Sequence, residues 1–142
     1  MCFARQVAAF LTATAVLFPV TAAQSAVEPP VNQPLVKAWS AVSGMSAQQV
    51  VDLATTLPAG VDDAGTPWCD ATAEVTGTLQ GEFGETLVAH NNDGLHLWGS
   101  EQMGTWTMVL ARPDRTSCVV ASGIGYTGDA SPVAIFSTAG LI

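Results

Sequence analysis

The stretch Gly104–Cys118, GTWTMVLARPDRTSC, contains the pattern that decides the fold. Its first half alternates large apolar side chains with smaller ones, as a strand with one buried face does. The segment Arg112–Arg115 (RPDR) then has the composition of a type I turn, with Pro113 first and Asp114 second. The last position of such a hairpin loop adopts a left-handed conformation. Arg115 occupies that position without being glycine, which predicts a local strain of about 1 kcal/mol.

This turn sets which residues of the two strands face each other. The predicted pairs are Leu110 with Cys118, Met108 with Val120, and Trp106 with Ser122. The residues on the face that we expect in the core are Trp106, Met108, Leu110, Cys118 and Val120. The residues on the opposite face are Thr105, Thr107, Ser117 and Ala121. The hairpin therefore predicts a sheet with one strongly apolar face.

A second turn of the same type precedes it at Asn91–Gly94 (NNDG). The turn pairs Ala89 with Leu97 and His90 with His96. The residues expected in the core are Leu87, Ala89, Leu95 and Leu97, and those expected on the other face are Val88, His90, His96 and Trp98. A loop over Ser100–Met103 joins the two hairpins. The result is a four-stranded antiparallel meander, packed on one face by one or two helices, in an α+β fold.

Three segments have helical patterns. Residues 35–43 carry apolar residues at helical spacing and end at Gly44, which predicts a short helix bearing Trp39. Ser46 and Gln49 have the spacing of a capping box and predict a second helix, ending at Pro58. The third is expected to begin at Asp70.

The third helix has an apolar stripe formed by Val75, Leu79 and Phe83. We expect Val75 and Leu79 to cover Trp106 on the core face of the sheet. The opposite face is then either open or covered by the helix that bears Trp39. The apolar tail, residues 131–142, forms an edge strand over Val133–Phe136 or stays loose. Residues 35–130 are expected to form a single domain.

The first 26 residues have the organisation of a secretory signal peptide: Arg5, an apolar run over Val7–Val20, and small residues after it. Cleavage can follow Ala23 or Ala26. The alternative is a retained membrane anchor, although the run is shorter than the roughly 20 residues of a span. The proline-rich segment 27–34 (VEPPVNQP) predicts an extended leader.

The cysteines indicate a disulfide. Cys2 leaves with a cleaved signal peptide, so Cys69 and Cys118 have one intramolecular pairing in an oxidising compartment. The alternative is two buried free thiols. Because Cys118 points into the core, we expect the bond to tie the last strand to the helix that begins near Cys69.

Net charge narrows the range of partners. The chain carries a formal charge of -8 at pH 7. Such a surface repels phosphate backbones and anionic membranes, so nucleic acid is not expected as a partner. The remaining classes are a protein or a small-molecule ligand.

The segments GEFGE (81–85), LHLWGS (95–100) and 104–123 together resemble a group of small, exported, uncharacterised proteins of Gram-negative bacteria. That group has a cysteine before a helix, a G-T-W-T strand, a P-D-G turn and a cysteine in the last strand. This chain differs at Arg115, where the group has the turn glycine. The resemblance implies the fold and export, and it implies no activity.

No catalytic set is visible in the sequence. A G-x-S-x-G motif is absent, and Ser122–Gly128 (SGIGYTG) lacks the lysine of a phosphate loop. Paired carboxylates at Glu82 and Glu85, or at Asp62–Asp63, have the chemistry for acid–base work or calcium, but calcium needs more oxygens. We therefore expect no cofactor and no dedicated metal site.

The leading hypothesis is a non-enzymatic periplasmic or secreted binding module. Its tentative binding residues are Val88, His90, His96 and Trp98, which the turn places on one sheet face. The alternative is a small hydrolase or metal-assisted enzyme that uses His90 and His96. The exposure of Trp98 decides whether this patch is a surface or part of a second core.

Overall fold

A computed structural model describes residues 36–61 and 63–142. In this part of the chain, six antiparallel strands and three helices form an α+β fold. The strands are β1 (Lys37–Ser40), β2 (Cys69–Ala71), β3 (Thr86–His90), β4 (Leu95–Ser100), β5 (Thr105–Ala111) and β6 (Thr116–Ile124). The helices are α1 (Ala47–Ala54), α2 (Thr72–Gly81) and α3 (Pro132–Thr138). None of the helices in the described ranges has the length and hydrophobicity needed to cross a membrane.

The predicted meander forms four of the six strands, because β3, β4, β5 and β6 pair in chain order. Two further strands lie on the remaining edge of β6. Strand β1 pairs with the C-terminal part of β6, residues 121–124, and β2 pairs with its N-terminal part, residues 116–118. The sheet therefore has six strands and not the predicted four, and β6 is an interior strand with neighbours on both edges.

Both predicted turns have the expected backbone. Gly94 has a φ of 81° and Arg115 a φ of 64°, so both residues are left-handed. The Asp114 carboxylate accepts a hydrogen bond from the Thr116 amide at 3.0 Å and pairs with the Arg112 guanidinium. These contacts hold the turn in the conformation that costs Arg115 its strain.

The register prediction is confirmed beside each turn and fails farther away. Leu110 faces Cys118 as expected, but an irregularity after Met108 places that residue opposite Ala121. Trp106 consequently faces Gly123, and Ala121 lies in the core, not on the opposite face. A β-bulge adds one residue to one strand, and this shifts every pair beyond it.

One helix prediction is confirmed at the N-terminus, although the helix ends at Ala54 and not at Pro58, and another is wrong. Helix α1 begins with the expected capping box, in which the Gln49 amide donates to Ser46 Oγ and the Ser46 amide donates to Gln49 Oε1. In contrast, the segment that bears Trp39 is strand β1. A helix this short is marginal on its own, whereas the edge of β6 offers backbone partners for the whole segment. Leu35, where that helix was expected to begin, lies outside the described residues.

The tail also differs from its prediction. Residues 132–138 form helix α3, not an edge strand, and Pro132 occupies the first turn, where its missing N–H costs nothing. Ile135 and Phe136 are buried in the same cluster as Trp106. The tail is therefore part of the core.

Helices lie on both faces of the sheet. Val50 and Ala54 of α1 belong to the main core cluster with Trp106 and with the α3 residues. The α2 residues Val75 and Leu79 instead form a second cluster with Trp98 and Val109. The expected contact of α2 with Trp106 is therefore wrong. The helix begins only after β2, and its cap is Ala71, not Asp70.

The predicted disulfide is present, but its partner element differs. Cys69 and Cys118 are bonded and both are fully buried. The two residues are direct cross-strand partners in β2 and β6. The bond thus joins two neighbouring strands and does not join a strand to a covering helix.

Removal of this bond should lower stability strongly. The closed loop has a sequence separation of 49 residues, and the chain-entropy model gives about 4 kcal/mol for a loop of that length. In urea denaturation, the free energy of unfolding of the double variant Cys69→Ala/Cys118→Ala should be lower than that of wild type by about this amount. Wild-type protein with the disulfide reduced should have the same urea midpoint as the double variant. An unchanged urea midpoint would contradict the prediction.

The Trp106 side chain should be the most costly aromatic to truncate. It is fully buried, and a Cβ atom at Gly123 would lie only 2.5 Å from its ring. Trp106→Ala should cost about 3–5 kcal/mol, as emptied aromatic sites do. Trp39→Ala is the matched control because Trp39 is exposed. Equal losses of stability in the two variants would show that Trp106 does not anchor the core.

Candidate functional site

The four sequence-predicted binding residues do not form one patch. Trp98 is 6% exposed and packs under α2 with Val75 and Leu79. Val88 packs against the main core cluster on the other side of the sheet. A register shift between Leu87 and Ala89 turns Val88 to that side. Trp98 is thus part of the second core, although the cover is α2 and not the Trp39 segment.

The same register shift also changes the position of Leu87. Leu87, predicted to lie in the core, stands opposite Trp98 and is exposed. The pairs beyond the shift, Ala89 with Leu97 and His90 with His96, are as predicted. Only the two histidines of the predicted patch therefore remain together at the surface.

The histidine rings lie close to each other on neighbouring strands. Their centroids are 5.9 Å apart and the rings are tilted by 53°. His90 is exposed and His96 is half-buried. Burial, and secondarily the charge of His90, lower the pKa of His96 below its ordinary value. Across the described residues, no group of three or more His, Cys, Asp or Glu side chains is arranged to hold a metal.

A different site emerges where α2 leaves part of its sheet face uncovered. A cleft of about 340 Å³ lies between the helix and strands β5 and β6. Its lining residues are Ala41, Trp68, Leu79, Phe83, Thr107, Val119 and Ser122. We call this space the α2 cleft. Its volume falls within the range of small-molecule sites, about 300–1,000 Å³.

Two large aromatic side chains line the α2 cleft and remain exposed, and a third lies on the same side of the sheet. Trp68 is 40% exposed and Phe83 43%, and both line the cleft. Trp39, 53% exposed, pairs with the lining residue Ser122. Its neighbour Ala38 packs on the main core, so alternation places Trp39 on the α2 side of the sheet. A cluster of exposed aromatics is typical of a binding surface.

These aromatics come from three separate elements. Trp39 is on β1, Trp68 immediately precedes β2, and Phe83 follows α2. Sequence reasoning missed the cluster because it placed Trp39 on a helix and Phe83 in the apolar stripe of α2. Each of these segments carries a single aromatic residue, which gave no information on their proximity.

The sheet floor of the cleft carries two hydroxyl groups. Thr107 and Ser122, a cross-strand pair, supply two hydroxyl groups among the apolar lining residues. A hydroxyl both donates and accepts hydrogen bonds. The α2 cleft therefore offers aromatic walls for an apolar surface and a floor that fixes the orientation of a polar group.

A buried carboxyl group lies beside Thr107 of this floor. Glu85 is 1% exposed, and its Oε1 accepts a hydrogen bond from Thr105 Oγ1 at 2.9 Å. Its Oε2 has no hydrogen-bond partner among the described residues. Burial raises the pKa of Glu85 above 4.5, and the hydroxyls of Thr107 and Thr105 oppose that rise. Because Thr107 also lines the cleft, the carboxyl and the cleft share one side chain.

The other acidic candidates do not join this group. Glu82 is exposed while Glu85 is buried, so the two do not act as a carboxylate pair. Asp62 lies outside the described residues, and its neighbour Asp63 is exposed. In Ser122–Gly128, Tyr126 is buried in the main core. That segment therefore has a packing role.

A second depression lies beside the Arg112–Asp114 turn, and the Arg112 side chain that lines it has a structural role. The Arg112 guanidinium donates to the carbonyl oxygens of Ala54 and Leu57, at the end of α1. It also pairs with Asp114. A cation at a helix C-terminus compensates the carbonyl groups that lack partners there. Arg112 thus secures α1 to the hairpin.

No protein family, curated protein or solved structure matches the chain.

The raised pKa of Glu85 predicts a specific pH dependence of stability. Between pH 4.5 and the raised pKa, the folded protein holds a proton that the unfolded chain releases. The contribution of Glu85 to the free energy of unfolding should therefore fall as pH rises through this interval and then level off, whereas the lowered pKa of His96 gives a contribution that rises with pH. In Glu85→Gln, whose side-chain oxygen still accepts the Thr105 hydrogen bond but carries no charge, only the contribution of Glu85 should disappear.

Urea melts between pH 4 and 8 measure the effect. Glu82→Gln is the matched control, since it removes the same charge from an exposed neighbour. It should keep the wild-type pH dependence. The burial argument would be wrong if Glu85→Gln and Glu82→Gln gave the same curve.

Proposed function

We propose that the protein is a non-enzymatic, exported binding module, periplasmic or secreted, whose ligand occupies the α2 cleft. The observation that carries the proposal is the pair of exposed aromatics, Trp68 and Phe83, that line one cleft with a hydroxyl-bearing floor. Burial of exposed aromatic surface is the main source of affinity in small sites. The two floor hydroxyls supply orientation.

Export is supported by the signal-like residues 1–26 and by the disulfide. Disulfides persist in oxidising compartments and are rare where thiols are kept reduced. The bond between Cys69 and Cys118 fits that environment. The disulfide also keeps Trp68, the residue before Cys69, beside Val119 at the cleft.

The ligand class follows from the lining. An occupant needs an apolar face for Trp68 and Phe83, and donor or acceptor groups for Thr107 and Ser122. The formal charge of -8 disfavours an anion. We therefore propose a small, neutral or cationic amphipathic molecule.

The alternative of a metal-assisted enzyme would use His90 and His96, which do not line the α2 cleft. Glu85 has the raised pKa typical of functional carboxyls, but it precedes β3 at the end of the hairpin remote from the turn, whereas the histidines lie beside the turn. One observation favours metal binding by the histidines, namely the proximity of their rings.

The α2 cleft should bind a neutral apolar dye in a saturable manner. Full-length chain is expressed and recovered from the periplasm or medium, and Nile red fluorescence is titrated. Trp68→Ala and Phe83→Ala should each weaken binding about fivefold or more, because a lost contact of about 1 kcal/mol has that effect. The two variants should keep the wild-type melting temperature to within a few degrees.

Val133→Ala is the matched control, because Val133 is an exposed apolar residue on α3, which packs on the opposite side of the sheet. It should bind the dye like wild type. Equal binding by all three variants, or the lack of saturable binding, would overturn the assignment of the cleft. Protein retained in the cytoplasm with an intact N-terminus would overturn export.

A further inference from the structure

We propose that His90 and His96 together chelate one divalent transition-metal ion, so that the metal links strands β3 and β4. The two residues are direct cross-strand partners at the base of the Asn91–Gly94 turn. This site is independent of the α2 cleft and uses none of its lining residues.

The ring separation is somewhat larger than the separation that a shared ion requires. Metal–nitrogen bonds of about 2.0–2.1 Å and bond angles of about 90–110° place the centroids of two coordinated imidazoles about 4.5–5.2 Å apart. The observed centroid separation is 5.9 Å. The difference of about 0.7 Å or more requires the two side chains to rotate toward each other when an ion binds. The tilt of 53° leaves the rings unstacked.

The backbone holds the two ligands in place. Register pairing in the sheet fixes the two Cα atoms, and the turn restricts the ends of both strands. Within the turn, Asn91 Oδ1 accepts hydrogen bonds from the amides of Asp93 and Leu95 at 3.0 and 2.9 Å. A pre-organised pair of ligands loses little conformational entropy when a metal binds.

The chemistry selects the ion. Neutral imidazole nitrogens suit Cu²⁺, Ni²⁺ and Zn²⁺, with Cu²⁺ bound most tightly in the usual order. Two protein ligands leave the remaining positions open to water. The negative charge of the whole chain, -8, raises the local concentration of cations. The site is thus a two-point chelate with open coordination positions.

Calorimetric titration of the untagged full chain with Cu²⁺, Ni²⁺ and Zn²⁺ at pH 7.5 tests the proposal. We expect one ion per chain, tightest for Cu²⁺, and a higher melting temperature with metal than with EDTA. Both histidines are at least partly exposed, so His90→Ala and His96→Ala should fold. Each should lose at least tenfold in affinity and lose the metal-dependent rise in melting temperature.

The two variants separate a chelate from other modes of binding. If only one histidine variant lost affinity, the ion would have a single imidazole ligand and the proposal would be wrong. Binding unchanged in both variants would assign the ion to carboxylates and would also overturn it. Asp93→Asn is the matched control for the turn, and a chelate formed by the histidines alone predicts wild-type stoichiometry there.

Discussion

Hydrogen bonding along both edges of β6 is the constraint on which the rest of the structure depends. Strand β5 occupies one edge, and β1 and β2 share the other. Strand β2 leads directly into α2, and β1 is followed by α1, so both helices start from chain segments tied to β6. The Cys69–Cys118 bond adds a covalent link at the centre of this arrangement. The α2 cleft is the space left on the sheet between these two attachments.

Features set by local chemistry could be predicted from sequence. Gly94 and Arg115 were assigned to left-handed positions because turn composition depends on a few neighbouring residues. The capping box at Ser46 is equally local. The single pairing of Cys69 with Cys118 followed from counting. None of these predictions required knowledge of a distant element.

Features that depend on residues far away in the sequence could not be predicted. The Trp39 segment is a strand only because β6 has a free edge there, and this is not visible in the segment itself. The bulges near Met108 and Leu87 add one residue without a distinctive sequence sign, and they change which side chains share a face. The predicted patch around Trp98 failed for this reason, together with the unforeseen position of α2. The aromatic cluster was missed because its members are far apart in sequence.

The irregularity in β3 has a consequence for association between molecules. Strand β3 is at the end of the strand order, so it offers a row of backbone groups on which a second chain could pair. Its exposed Leu87 adds an apolar side chain to that edge. The bulge after Leu87 interrupts the regular spacing of those groups, and only short stretches on either side of it remain regular. An incoming strand therefore finds too few matched partners to extend the sheet, which protects the protein against edge-to-edge aggregation.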